Sequence, residues 1–297
     1  MRRSVFVSMT FDAHLSQNQN DVKWGIVEAI VKAGLEPHCF FPHVPESMKG
    51  RVRTTLPWTA SAAEEAMRSS VGAMFLAQPR WRVSAPEEET LASEYIHYEA
   101  GVARTLGLPM FMAAQEGMPW RGAFDPSDQQ ICTIPAHADR GWLQGPEFGQ
   151  AFDGWLSRVS ERYDVFLGYS SGAEGPARNI KHLLELEEAK VLDWMTFGPG
   201  TILEQIAAAS AKCTGGVFLF TRDDVFEGDD QKAAPRDNVV FEAGYFVNAK
   251  GHRRVLIVKQ EATKMPADLG GTIYAPLEDP ASIKPIEDQL RRFLSEL

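Results

Sequence analysis

Short, fully apolar stretches alternate along this chain with segments in which apolar residues recur every three or four positions. The apolar stretches are rich in β-branched and aromatic residues, so they predict buried strands, and the periodic segments predict amphipathic helices. The first half carries such strands at residues 4–11, 72–77 and 109–114, with helices between them. Strands that are apolar on both faces are typical of a parallel sheet covered by helices on each side.

The second half repeats this order of elements. Buried strands are predicted from residue 164, at residues 216–221 and at residues 254–259, and a further strand and a closing helix follow. A glutamate recurs at the same place in the repeat, as Glu99 in "HYEAG" and as Glu242 in "VFEAG". The pattern therefore predicts two tandem α/β domains, each with a parallel sheet flanked by helices.

The two domains are predicted at residues 1–125 and 164–297. Residues 126–163 begin irregularly and then become helical, so we interpret them as a linker and a connecting helix.

Local signals predict three helix boundaries. Ser61, with Glu64 three residues later, has the spacing of a capping box. Asp237 is predicted to cap the helix that carries Glu242, and Gly215 is predicted to end the helix before it.

Composition argues against several classes of protein. The chain has 297 residues and a formal net charge of −10, which argues against a general nucleic-acid binder. Its three cysteines are widely spaced, and neither they nor the histidines have metal-ligand spacing. No apolar run is long enough for a membrane helix, and the N-terminus reads as a strand and not as a signal peptide. We therefore expect a cytoplasmic protein with no metal, no cofactor and no membrane or nucleic-acid partner.

Candidate chemistry in the second half lies at Gly168–Gly175 and at Glu242. Gly168, Ser170 and Ser171 have the composition of a phosphate-binding loop, although a flexible surface turn explains the same residues. Glu242 is either a solvated residue of an amphipathic helix or a pocket carboxylate. A carboxylate beside a phosphate site would suit chemistry at a ribose, because breaking an N-glycosidic bond passes through an oxocarbenium-like state.

The second half resembles the bacterial TIR-like family of nucleotide-binding effector domains, found in antiphage systems. The resemblance covers roughly residues 165–277, and its most specific part is "RDNVVFEAG", with support from "MPADLGG". It implies a flavodoxin-like sheet and cleavage of NAD⁺ at the nicotinamide–ribose bond, with Glu242 as the catalytic residue and NAD⁺ as a substrate. It also implies an assembly into homo-oligomers. The substrate-binding residues predicted on this basis are Gly168, Tyr169, Ser170, Ser171, Asp223, Arg236, Asp237 and Asn238.

The first half resembles the same superfamily more loosely, and its "SEYIHYEAGVARTLGLPMFM" is similar to nucleoside deoxyribosyltransferase-like domains. It lacks the Arg-Asp-Asn sequence before the helix. We therefore predict a sensory or assembly role for it, with a second pocket at Ser8, Tyr98 and Glu99 and a nucleotide second messenger as activator.

The leading hypothesis is a TIR-like NAD⁺ hydrolase of bacterial defence, built from two tandem flavodoxin-like domains. A cyclase that makes a signalling product from NAD⁺ is a variant of it. A non-catalytic nucleotide sensor and a nucleoside or nucleotide glycosyltransferase remain as alternatives.

Overall fold

Two parallel sheets, one in each half of the chain, carry the fold. The computed structural model describes residues 3–84, 88–193, 195, 201–226 and 229–297. By internal contacts the chain divides between Glu161 and Arg162 into two compact units.

Helices in the described residues are all of modest length. The longest, α1, has 16 residues, and none in these parts of the chain is long and apolar enough to cross a bilayer. The α-helices are α1 (Gln17–Lys32), α2 (Ala60–Arg68), α3 (Glu94–Thr105), α4 (Pro146–Ser160), α5 (Glu174–Leu186), α6 (Ile202–Lys212), α7 (Asp237–Lys250) and α8 (Glu287–Glu296).

Strands of the first unit form a six-stranded sheet and a separate hairpin. They are β1 (Ser4–Met9), β2 (Glu36–Cys39), β3 (Arg53–Thr54), β4 (Ser70–Ala77), β5 (Trp81–Val83), β6 (Glu89–Leu91), β7 (Met110–Gln115) and β8 (Ile131–Ile134). The sheet order is β3-β2-β1-β4-β7-β8 and every pairing is parallel. The antiparallel hairpin of β5 and β6 stands between β4 and α3.

The second unit repeats this topology with one strand fewer at the edge. Its strands are β9 (Tyr163–Gly168), β10 (Val191–Asp193), β11 (Cys213–Phe220), β12 (Asp224–Phe226), β13 (Asp229–Ala234), β14 (Val255–Gln260) and β15 (Ile273–Leu277). The parallel sheet has the order β10-β9-β11-β14-β15, and an antiparallel hairpin of β12 and β13 precedes α7. This is the flavodoxin-like order 2-1-3-4-5. The prediction of two tandem flavodoxin-like domains, each a parallel sheet flanked by helices, is confirmed.

The stretch interpreted as a linker and a connecting helix, residues 126–163, contains that helix and also a strand. It contributes β8 to the first sheet and ends in α4. The fully buried Trp155 of α4 donates a hydrogen bond from Nε1 to the carbonyl oxygen of Pro109 at 2.9 Å. Together with Phe148 and Phe152 it packs into one of the two cores of the first unit. Burial of this aromatic face makes α4 part of the first unit.

Three predicted helix boundaries are wrong. Thr59, and not Ser61, caps α2 by accepting a hydrogen bond from the Ala62 amide at 3.1 Å. Asp237 is the first residue of α7, and no side chain caps that helix. Gly215 does not stop a helix but lies inside β11, where a Cβ atom would come within 2.6 Å of the Arg254 carbonyl oxygen. Close approach of neighbouring backbone explains that glycine.

Candidate functional site

A buried carboxylate lies at the point where strand order reverses in the second sheet. The reversal falls between β9 and β11, and in open parallel sheets such points form ligand-binding crevices at the carboxyl ends of the strands. The first loop after β9, the hairpin after β11 and the following helix α7 all start from this edge.

Glu242 lies on the buried face of α7. That face is formed by residues at i, i+3, i+4 and i+7, namely Val239, Glu242, Ala243 and Phe246. Glu242 is only 8% exposed, so the interpretation as a solvated surface glutamate is excluded. One carboxylate oxygen, Oε2, is buried without a hydrogen-bond partner among the described residues. Because burial penalises the charged form, it raises the pKa of Glu242 to about 7.

Gly168, the last residue of β9, faces this carboxylate. A Cβ atom at this position would lie 2.8 Å from Glu242 Oε2 and 2.6 Å from the ring of Phe218. Only glycine lets the end of β9 approach the unpartnered oxygen this closely, because a Cβ atom would clash with it and with the Phe218 ring. The structure brings together the predicted residues Gly168 and Glu242.

A hydroxyl–carboxylate network lies at the carboxyl ends of β9 and β11, at the mouth of the crevice that this fold predicts. Asp223 accepts hydrogen bonds from the Ser170 hydroxyl, from the Thr221 hydroxyl at 3.1 Å and from the Arg236 amide at 3.0 Å. Ser170 and Thr221 are buried and lie 3.4 Å apart, hydroxyl to hydroxyl. The network ties the first loop to the start of α7, so three predicted residues, Ser170, Asp223 and Arg236, are in contact. Thr221 was not predicted, although it directly follows a buried strand.

The other predicted residues of this half are less closely connected. The buried Tyr169 packs in the core on the opposite face of the sheet, and its hydroxyl donates to Asp193 at 3.0 Å, so it does not join Glu242. Ser171 is exposed at the start of a short 3-10 helix. Asp237 and Asn238 are exposed in the first turn of α7.

The first unit places Glu99 at the equivalent reversal, between β1 and β4. On α3 it belongs to the same kind of buried face, with Ile96, Ala100 and Ala103, and it is 4% exposed. Both of its oxygens are partnered, because the Ser8 hydroxyl donates to Oε2 and the indole of Trp58 donates to Oε1 at 2.7 Å. Burial raises the pKa of Glu99 to about 7, and the two hydrogen bonds oppose that rise.

Tyr98, predicted with Ser8 and Glu99, points elsewhere. It is 41% exposed and its hydroxyl donates to Glu64 at 3.2 Å. The second partner of Glu99 is instead Trp58, whose ring lies 4.5 Å from that of Tyr95 between centroids. Trp58 lies between β3 and α2, and nothing in its local sequence marks it as a partner of Glu99.

Comparison with known proteins finds a family to which part of the second unit is similar. Residues 164–279 match the family model described as "CAP12/Pycsar effector protein, TIR domain". The match begins in β9 and includes Glu242 and the residues at the mouth of the crevice. The resemblance of the first half to deoxyribosyltransferase-like domains stays a prediction.

Similar curated proteins are all matched over part of their length. The Pycsar effector protein PaPycTIR of Pseudomonas aeruginosa is 32% identical over 45% of this chain and 47% of its own. CD-NTase-associated protein 12 of Lachnospiraceae bacterium (strain RUG226) is 30% identical over 45% of this chain and 44% of its own. The uncharacterized protein YuaY of Escherichia coli (strain K12) is 28% identical over 47% of this chain and 45% of its own. The chain thus spans less than half the length of these relatives.

The similarity of this chain to solved structures is weak. A flavodiiron protein from Giardia intestinalis aligns over 93% of this chain and 83% of its own, with a TM-score of 0.31 and 8% sequence identity.

Proposed function

We propose, from the premise that the C-terminal half of this chain is a bacterial TIR-like effector domain, that this half cleaves NAD⁺ between nicotinamide and ribose. The overall reaction converts NAD⁺ and water into nicotinamide, ADP-ribose and a proton. The observation that carries the proposal is the buried Glu242 carboxylate with one unpartnered oxygen beside Gly168.

The carboxylate would act on the ribose. When the C–N bond to nicotinamide breaks, the bonding electrons leave with the ring, which becomes neutral, and positive charge develops on the ribose. A negative charge held in a crevice of low polarity stabilises that oxocarbenium-like state more strongly than it would in water. Glu242 Oε2 also keeps its acceptor capacity for a hydrogen bond from a ribose hydroxyl, since it accepts none within the described residues. Water then attacks the anomeric carbon, and its proton leaves to the carboxylate or to solvent.

The mouth of the crevice would position the remainder of the dinucleotide. The amides of the first loop after β9 offer donors to phosphate oxygens. The Ser170 and Thr221 hydroxyls already donate to Asp223, whose charge would repel an anion. We infer that Asp223 organises the two hydroxyls and the start of α7, and that the phosphates bind on the amide side of the first loop.

The setting we propose is bacterial antiphage defence in the cytoplasm, with activation by a nucleotide second messenger and assembly into a homo-oligomer. The names of the relatives support the signal, since two of them are a Pycsar effector and a CD-NTase-associated protein. Assembly rests on the family resemblance alone.

The proposal is tested by incubating the purified chain with NAD⁺ at high protein concentration, alone and with a panel of cyclic mono- and dinucleotides, and identifying products by mass. We expect equimolar nicotinamide and ADP-ribose, or a cyclised ADP-ribose if the second nucleophile is internal. Unchanged NAD⁺ in every sample, including those in which light scattering shows assembly, would contradict it. Tight binding of a nucleotide that stays intact would favour the sensor alternative, and ribosylated protein would favour the glycosyltransferase.

The pH dependence of the reaction follows from the state of Glu242. Burial raises the pKa of this carboxyl to about 7, and only its ionised form carries the stabilising charge. We expect kcat/KM to rise about tenfold per pH unit below pH 7 and to level off above it, because kcat/KM reports the pKa values of the free enzyme. Steady-state rates between pH 5 and pH 9 in buffers of constant ionic strength measure this. A profile that stays flat down to pH 5 would mean that no group with a pKa near 7 controls the reaction, which contradicts the role assigned here to a Glu242 with a raised pKa.

A further inference from the structure

The residues around Glu99 and Glu242 occupy equivalent positions in the strand register of the two sheets. In the first sheet Ser8 pairs with Phe75, and in the second Gly168 pairs with Phe218. The neighbouring rings pack alike, with centroids 6.2 Å apart between Phe6 and Phe75 and 5.8 Å apart between Phe166 and Phe218. Ser8 therefore occupies the position of Gly168, and Glu99 on α3 corresponds to Glu242 on α7.

The carboxylates of the two copies differ in what they contact. Glu99 is held by the Ser8 hydroxyl and by the Trp58 indole, so both its oxygens are occupied. Glu242 Oε2 has no partner among the described residues, and the hydroxyl that would reach it is missing because residue 168 is glycine. A Cβ atom at residue 168 would already lie 2.8 Å from this oxygen.

We propose that the residue at the end of the first strand of each unit decides whether the carboxylate is open to a ligand. Gly168 is then a positioning residue that keeps Glu242 Oε2 free for a hydroxyl of the ribose. Ser8 and Trp58 close the equivalent site of the first unit and make Glu99 a structural hydrogen-bond acceptor. This assignment rests on the proposed function for the identity of the ligand, but not for the difference between the copies.

Ring packing offers a competing explanation of Gly168. A Cβ atom there would also press against Phe218, and Gly216 on the other side of the same ring is under similar constraint, at 2.7 Å. The first unit has Ala73 in the place of Gly216, paired with Phe6 in the same register, and it accommodates a serine at position 8. Alanine and serine at residue 168 separate the explanations, since both crowd Phe218 but only serine brings a hydroxyl.

The test follows the carboxyl titrations of the whole 297-residue chain, labelled with ¹³C at the glutamate carboxyl, by NMR. The Glu242 and Glu99 signals are assigned by their loss in Glu242→Gln and Glu99→Gln. In Gly168→Ser we expect the Glu242 titration to move down by about one pH unit or more, because a donated hydrogen bond stabilises the anion. In Gly168→Ala it should not move down. Equal titration of Glu242 in the serine and alanine variants would overturn the proposal.

Substitutions in the first unit test the same proposal if the Gly168 variants do not fold. Ser8→Gly and, separately, Trp58→Phe each remove one donor from Glu99, and each should raise the Glu99 titration by about one pH unit while leaving Glu242 unchanged. An unmoved Glu99 in both would overturn the closed-site assignment.

The activity of Gly168→Ser gives a second test that is independent of the titrations. If the wild type consumes NAD⁺, Gly168→Ser should lose at least about 100-fold in kcat/KM and show its pH profile displaced to lower pH, and an unchanged profile would count against the assignment. If the wild type consumes none under any condition, the proposed function falls while the titrations still decide this inference.

Discussion

Replacing Glu242 by glutamine is expected to lower the rate of NAD⁺ consumption at least about 1000-fold, whereas Glu99→Gln should leave it within about twofold. Glutamine keeps the shape of the side chain and fills the same space, but it carries no charge and cannot stabilise a developing oxocarbenium-like state. The measurement is single-turnover loss of NAD⁺, under the conditions that activate the wild type, with nicotinamide quantified.

The two substitutions form a matched pair because both replace a buried glutamate on the inner face of the third helix of its unit. In Glu99→Gln the amide oxygen still accepts from Trp58, and the Ser8 hydroxyl can turn to accept from the amide nitrogen, so the local network survives. Circular dichroism and thermal unfolding of both variants control for folding. Equal losses in the two, or loss only in Glu99→Gln, would place the chemistry elsewhere than Glu242.

Much of the architecture was predictable because the strands that form the sheet centres are apolar on both faces. Residues 72–77 and 216–221 were identified from this feature, and both belong to central strands, β4 and β11. Peripheral elements were missed where the signal is short. Strand β8 is a four-residue edge strand with alternating exposure, and its sequence "ICTI" sits in a stretch rich in turn residues. Strand β8 is stabilised by its pairing with β7, a contact that its local sequence does not show.

The candidate site was predictable as far as it depends on spacing along one helix. Glu242 and Glu99 each lie three residues after one buried residue and one residue before another, so an apolar helical face with a single carboxylate was visible in the sequence. The surroundings of each carboxylate were not visible, because Gly168 and Trp58 come from distant segments brought near by the sheet and by the loop before α2. A difference in hydrogen bonding therefore separates two glutamates whose local sequences are almost the same.

The second large effect expected concerns stability. Between pH 5 and pH 8, the free energy of unfolding of Glu242→Gln relative to wild type should increase by about 2 to 3 kcal/mol. The pKa of Glu242 is about 7 in the folded protein and near the ordinary value of 4.5 when unfolded. Between these values the folded state binds more protons than the unfolded state, so this group's contribution to stability is complete below about pH 4.5 and is lost as pH rises through 7. Glutamine does not titrate, so the variant escapes that loss.

Urea unfolding of both proteins at pH 5, 6, 7 and 8, followed by a probe of the second unit, measures the difference. Any constant cost of burying the amide cancels when values at two pH are compared, which makes this comparison sharper than a single stability measurement. A difference that stays constant from pH 5 to pH 8 would show that Glu242 is ionised at no cost in the fold, and would remove the physical basis for the site. If the difference grows as expected, an ionised Glu242 destabilises the domain that carries it. A group that weakens the fold at neutral pH and has an unpartnered oxygen in a crevice is more simply explained by a ligand than by a structural role.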